Sequence, residues 1–125
     1  MSMIVRGFEQ LPPRIQDVLR VRGVGPGEFV LGLKSSYKPN ATIPILWFIV
    51  TAEHLLLCNT HKTRGLWKEM SGQELTAFEL RRSSLGKPYF VLPDSEGTVY
   101  LTLPDETPPE DLDALTREFA RLHQR

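Results

Sequence analysis

The chain has 125 residues, one cysteine, and 15 basic against 15 acidic side chains, so its formal net charge is zero. This length predicts a single domain, residues 1–125, that buries about two-thirds of the surface its unfolded chain exposes. One cysteine excludes an internal disulfide. Zero net charge removes the attraction that dominates nucleic-acid binding, so no nucleic-acid partner is expected. No apolar run reaches the roughly 20 residues of a transmembrane helix, and the cytoplasm is the expected location.

The N-terminal segment is predicted to be a loose lead-in, residues 1–11, followed by a short helix over residues 12–22. Pro12 and Pro13 suit a first helical turn. Apolar side chains recur on one face of this helix, namely Leu11, Ile15, Val18 and Leu19. Gly23 stands where a helix commonly stops. We expect this helix to cover a sheet edge or to pack on a neighbouring subunit.

Seven short strands are predicted within residues 28–103, because runs of β-branched, aromatic and aliphatic residues alternate with turn residues. The clearest is a hairpin over residues 43–51 and 55–61, in which two apolar runs flank a polar turn. The other expected strands cover residues 28–37, 66–70, 75–80, 89–92 and 98–103, with a turn over residues 93–97. Short strands at this regular spacing are typical of a sandwich or a barrel.

The last element is predicted to be a helix over residues 108–123. Thr107 and Glu110 have the spacing of a capping box. An apolar stripe follows, made of Leu112, Leu115, Phe119 and Leu122. The side chains expected to face solvent are Asp111, Asp113, Arg117, Glu118 and Arg121. Because the stripe must be buried, we expect this helix to close the open end of the strand barrel.

Three segments carry a family resemblance: the Gly27-Glu28 step before the first strand, the hairpin sequence of residues 50–57, and the basic turn of residues 62–67. In this order they resemble bacterial pleckstrin-homology-like domains, over about residues 12–123. The resemblance implies a seven-stranded, partly open barrel of two packed antiparallel sheets, capped by the C-terminal helix. Phe119 or Leu115 would replace the tryptophan of the capping helix. A binding or assembly role is implied rather than catalysis.

Chemically reactive groups are sparse in this sequence. His54, Cys58 and His61 lie on one hairpin, but strand alternation places His61 on the opposite face from the other two, so no zinc site is expected. Cys58 lies among leucines and is expected to be an inert core thiol. The glycine-rich segment 23–27 follows a helix and precedes a strand, the reverse of a phosphate-binding loop. We therefore expect no catalytic residues, no metal and no cofactor.

A group of five basic residues is the candidate binding site: Lys34, Lys38, Lys62, Arg64 and Lys68. They surround the first and third turns, which in the expected fold emerge near the open end of the barrel. There they would hold an acidic peptide or an anionic headgroup. The alternative is that they are scattered charges that keep sheet edges soluble. The sequence thus predicts a non-enzymatic interaction module with a protein partner or self-association, and anionic lipid as the alternative ligand.

Overall fold

The chain folds into two antiparallel sheets, one of four strands and one of three, with one helix before the first strand and another after the last. A computed structural model describes residues 1–75, 78–94 and 97–124. Strands follow one another in sequence order within each sheet, and the two sheets are not closed into a barrel. This architecture confirms the predicted fold class of two packed antiparallel sheets with a C-terminal helix.

The N-terminal sheet contains β1 (Phe29–Lys34), β2 (Trp47–Thr51), β3 (Leu55–Cys58) and β4 (Leu66–Met70), and the C-terminal sheet contains β5 (Glu79–Arg82), β6 (Pro88–Asp94) and β7 (Gly97–Thr102). The helices are α1 (Pro13–Val21), α2 (Pro109–His123) and a short 3₁₀ helix (Phe8–Gln10). Within the described residues, no helix is both long and apolar enough to span a bilayer.

Several predicted strand boundaries were wrong. Residues 35–46 form a long loop. β1 therefore ends three residues before its predicted limit, and β2 begins four residues after its predicted start. The Asn40 side chain accepts the backbone N–H groups of Thr42 and Ile43, at 2.9 and 3.0 Å, which stabilises a turn instead of a strand. Leu75 is buried in a turn ahead of β5. Residues 76–77 of the expected fifth strand, and residues 95–96 of the expected last turn, lie outside the described residues.

The main core lies between the two sheets and α2. All four residues of the predicted α2 stripe are buried there, Leu112, Leu115, Phe119 and Leu122. The centroid of the Phe119 ring lies 6.1 Å from that of Phe48 on β2 and 5.1 Å from that of Phe90 on β6. Phe119 thus contacts both sheets from the capping helix.

A second core lies on the other face of the N-terminal sheet. Leu57 faces the main core, whereas its neighbour Leu56 faces α1. Ile15 and Leu19 of α1 are fully buried against this outer face. Neither predicted position of the helix was therefore right, because α1 covers the face of a sheet. Gly23, with φ +80°, ends the helix as predicted.

The lead-in is not loose. Val5 exchanges two 2.8 Å backbone hydrogen bonds with Gly32 on the outer edge of β1. Asp111 of α2 is buried and accepts hydrogen bonds from the Ser2 hydroxyl and the Met3 N–H, both at 2.7 Å. The prediction that Asp111 faces solvent was wrong, because the helical pattern contains no information about the lead-in that covers it.

The start of α2 also differs from the prediction. Pro108 is the N-cap residue, and no side chain caps the helix. Thr107 instead donates its hydroxyl to the carbonyl of Pro104 at 2.7 Å. At the other end, Arg121 donates to the carbonyls of Thr51 and Ala52, both at 2.9 Å, and so joins α2 to the turn between β2 and β3.

Candidate functional site

A cleft of about 290 Å³ lies between α1 and the loop that joins β3 to β4. We call it the helix–loop cleft. Its lining residues are Arg14, Asp17, Val18, Val21, Arg22, His61, Lys62, Thr63, Gly65 and Leu66. Leu66 packs against the second core, so the cleft opens on the outer face of the N-terminal sheet.

The loop wall of the cleft, residues 59–65, is fixed by side-chain hydrogen bonds. Asn59 is fully buried, accepts the His61 N–H at 2.7 Å and donates to the Arg64 carbonyl at 2.9 Å. The Nδ1 atom of His61 accepts the N–H groups of Thr63 and Arg64, both at 3.1 Å. These bonds hold the loop in one conformation while Lys62, Thr63 and Arg64 remain exposed. The exposed tip is therefore preorganised for binding.

Gly65 lets the loop lie directly on α1. A Cβ atom at this position would overlap Cγ2 of Val18. The Gly65 carbonyl also accepts the Asn59 N–H at 2.8 Å, which closes the base of the loop. A glycine here is required by close approach, not by backbone conformation, since its φ lies outside the left-handed region.

The floor of the cleft is apolar and its rim is basic. Val18 and Leu66 are half-buried, while Val21 is 87% exposed and adds apolar surface at the edge of the cleft. Three cations line the rim, Arg14, Arg22 and Lys62, against one carboxylate, that of Asp17.

Two of the three rim cations have no carboxylate partner in the part of the chain that the structure describes. Arg22 forms an ion pair with Glu69 on β4, and Asp17 lies 3.4 Å from Arg20. Within residues 1–75, 78–94 and 97–124, no carboxylate pairs with Arg14 or Lys62. The rim therefore presents positive charge beside an exposed apolar surface.

Four of the five predicted site residues, all except Lys68, lie at one end of the N-terminal sheet, but they do not all face the cleft. Lys34 pairs with Trp47, and the register continues across the sheet to Leu66, so the loops after β1 and β3 leave at the same end. Three strand spacings separate Lys34 from Leu66, about 14 Å. The Lys38 ammonium donates to two carbonyls of its own loop, at 3.0 and 3.1 Å.

The remaining three predicted residues lie around β4 and the loop before it. Lys62 lines the cleft, and Arg64 is exposed at the tip of the same loop. Lys68 is opposite Leu57, a main-core residue, so it lies on the other face of the sheet from the cleft. A single site containing all five cations stays a prediction.

The α1 side of the cleft was not predicted from the sequence. Arg14, Val18 and Val21 are spaced by four and three residues, so they form a second stripe beside the buried one. That spacing was available in the sequence. Whether this stripe lines a cleft depends on where α1 packs, and α1 was expected on a sheet edge or a neighbouring subunit instead of the face of a sheet.

Reactive groups near the cleft are occupied or buried. Cys58 lies in the second core, where burial, and then the carboxylate of Glu69, raises the pKa of its thiol to about 12. His54 precedes β3, with its Nδ1 atom 3.9 Å from a carboxylate oxygen of Glu69, whereas His61 follows β3, so the two histidines lie at opposite ends of that strand. The described part of the chain contains no group of three His, Cys, Asp or Glu residues that could hold a metal ion.

Comparison with known proteins does not place the chain in a family. No family model matches it, and neither a curated protein nor a solved structure gives a significant match. The resemblance to pleckstrin-homology-like domains therefore stays a prediction, and the function has to be inferred from the geometry of the cleft.

Proposed function

We propose that this domain is a non-enzymatic interaction module whose helix–loop cleft binds an acidic segment of a partner protein. One observation carries the proposal: Arg14 and Lys62, which pair with no carboxylate among the described residues, line the same cleft as the exposed apolar residue Val21. Cations without partners attract carboxylates, and the exposed apolar surface favours contact with an apolar side chain, because both surfaces are then removed from water. A segment with one apolar side chain between acidic residues satisfies both requirements.

The shape of the cleft favours a peptide over a membrane surface. A volume of about 290 Å³ is at the small end of ligand sites and suits one or two side chains. A flat anionic surface would meet the exposed loop tip, Lys62 and Arg64, but would not reach the floor at Val18. The cleft therefore supports a protein partner, and lipid binding is the alternative outcome of the test.

A binding role fits the chemistry of the surrounding residues. The Nδ1 atom of His61 already accepts two backbone N–H groups, and Asp17 lies beside Arg20. Both side chains therefore already have partners within the domain. The predicted resemblance to pleckstrin-homology-like domains supports the same role, and we propose that the domain acts in the cytoplasm, where a single unpaired cysteine is common.

Fluorescence anisotropy with a short peptide carrying one leucine between glutamates tests the proposal. The double variant R14E/K62E should bind this peptide roughly tenfold or more weakly than wild type. R117E is the matched control, since Arg117 is an exposed cation on the solvent side of α2. A peptide with glutamines in place of the glutamates should bind much more weakly. Added salt should reduce the affinity for the acidic peptide, because it screens the charges.

Anionic vesicles separate the two ligand classes. If the proposal is right, phosphatidylserine vesicles compete poorly with the peptide, and V21S weakens peptide binding because it removes exposed apolar surface from the cleft. The loop tip binds lipid instead if three results are found together: the protein sediments with vesicles, R64E abolishes this sedimentation, and V21S leaves it unchanged. Equal weakening of peptide binding by R117E and by R14E/K62E would show non-specific charge attraction and refute the cleft.

A further inference from the structure

β5 is the barest edge among the described strands. All four of its residues, Glu79–Arg82, are exposed. The outer edge of β1 is bridged by Val5, and the Thr102 carbonyl of β7 accepts the Ser36 N–H at 3.0 Å. β4 is half-buried along most of its length. An exposed edge strand offers unpaired backbone groups to another strand, and the short length and three charged side chains of β5 restrict which strands can pair with it.

Alternation along β5 shows which backbone groups face outward. The Ser83 N–H donates to the Lys87 carbonyl at 2.9 Å, across the hairpin to β6. In an antiparallel pair every second residue shares this direction, so Arg81 and Glu79 also bond to β6. The N–H and C=O groups of Leu80 and Arg82 therefore point away from the sheet. Within the described residues, no backbone group bonds to them.

The side chains of β5 complement a second copy of the same strand. Glu79 and Arg81 lie on one face of the sheet and form an ion pair along the strand. If two copies pair antiparallel about Leu80, Leu80 lies opposite Leu80, and each Glu79 lies opposite Arg81 of the other copy. The alternative register about Arg81 would place two arginines opposite each other, which is unfavourable. The charge pattern thus selects one register.

We infer that two copies of this chain associate through their β5 edges, in the register centred on Leu80. The two three-stranded sheets then form one continuous antiparallel sheet across the interface. Each Leu80 N–H donates to the Leu80 carbonyl of the other copy, and each Arg82 N–H reaches the opposing Phe78 carbonyl. The Leu80 side chains, 37% exposed in the single chain, meet at the centre. This surface shares no residue with the helix–loop cleft.

Sedimentation equilibrium over a concentration series up to about 1 mM tests the inference, because a four-residue edge predicts a weak dimer. E79R and R81E each place like charges opposite one another, so each alone should weaken the dimer roughly tenfold or more. An equimolar mixture of these two variants should associate again, since arginines of one then face glutamates of the other. The double variant E79R/R81E should dimerise like wild type.

L80P is an independent test of the backbone contacts. Proline at this position removes the outward N–H, which is not used within the domain's own sheet, so the fold should be retained and the dimer lost. Circular dichroism checks the fold. The inference is refuted if wild type is monomeric over the whole concentration range, if L80P dimerises unchanged, or if the E79R and R81E mixture associates no better than either variant alone.

Discussion

Gly65→Ala should destabilise the domain by pushing the β3–β4 loop away from α1. The added Cβ would overlap Cγ2 of Val18, and a valine in a helix is confined largely to one χ1 rotamer, so its methyl group cannot turn aside. The loop or the helix must therefore move. Overpacking of this kind costs about 1–3 kcal/mol, and alanine offsets about 0.4–1 kcal/mol of that by restricting the unfolded chain. We expect a net loss of about 1–2 kcal/mol.

Val18→Ala provides the compensating change. Val18 is half-buried, so removing its two methyl groups in the single variant V18A should lower the unfolding free energy by about 1 kcal/mol. In the double variant the remaining Val18 Cβ would lie 3.5 Å from the new Cβ, an ordinary contact. The overlap is then absent, and the double variant should be no less stable than V18A. The two substitutions should therefore show a coupling energy of about 1–2 kcal/mol.

Urea denaturation of all four proteins measures this cycle, with an unchanged dependence of the unfolding free energy on urea concentration as the check on two-state behaviour. Gly27→Ala is the matched control, because nothing lies within 4 Å of a Cβ at that position. The control should be neutral or slightly stabilised. Additive effects of G65A and V18A would refute the close approach of loop and helix that forms the cleft wall.

Three further predictions concern the rest of the domain. Gly72→Ala should cost about 3 kcal/mol in urea denaturation, because its Cβ would overlap the backbone carbonyl oxygen of Leu122, which cannot rotate away; no change would show that α2 ends elsewhere. Asp111→Ala should cost about 2–3 kcal/mol and speed hydrogen exchange at the Met3 amide, whose acceptor it removes; unchanged exchange would contradict the anchored lead-in. The Cys58 pKa rises from 9.0 to about 12 on folding, so the neutral thiol favours the folded state below pH 9, and this contribution is lost as pH rises towards 12. Cys58→Ala should make the loss of unfolding free energy between pH 9 and 12 shallower by up to about 1.4 kcal/mol per pH unit. The same dependence of unfolding free energy on pH in both proteins would refute the buried thiol.

Several patterns that depend on neighbouring residues alone were read correctly from the sequence, although the capping box of Thr107 and Glu110 was not. The α2 stripe, including Phe119, is buried as its three- and four-residue spacing predicts. Gly23 ends α1 because the Val24 N–H reaches the Leu19 carbonyl at 2.8 Å, a local arrangement that needs a left-handed residue. Seven strands are found because apolar runs and turn residues alternate along the chain.

Features fixed by distant contacts were not predictable in this way. Asp111 looks like an exposed helix residue until the lead-in places Met3 against it, 108 positions away in sequence. The position of α1 is similar. An amphipathic helix must bury one stripe, but the residues of the stripe do not determine which surface covers it. In this domain the covering surface is the outer face of β2 and β3. The cleft could not be found before that surface was known.

The basic residues show why counting charges does not locate a site. Lys38 and Lys62 are both exposed lysines in loops at the same end of the sheet. Lys38 is held by two carbonyl oxygens of its own loop, so a ligand would have to replace those bonds to use its charge. Lys62 stands on a loop that Asn59 and His61 keep rigid. A ligand that reaches Lys62 therefore contacts a charge that no described carboxylate pairs, and it does not have to order the loop, which is the condition under which an exposed cation contributes to affinity.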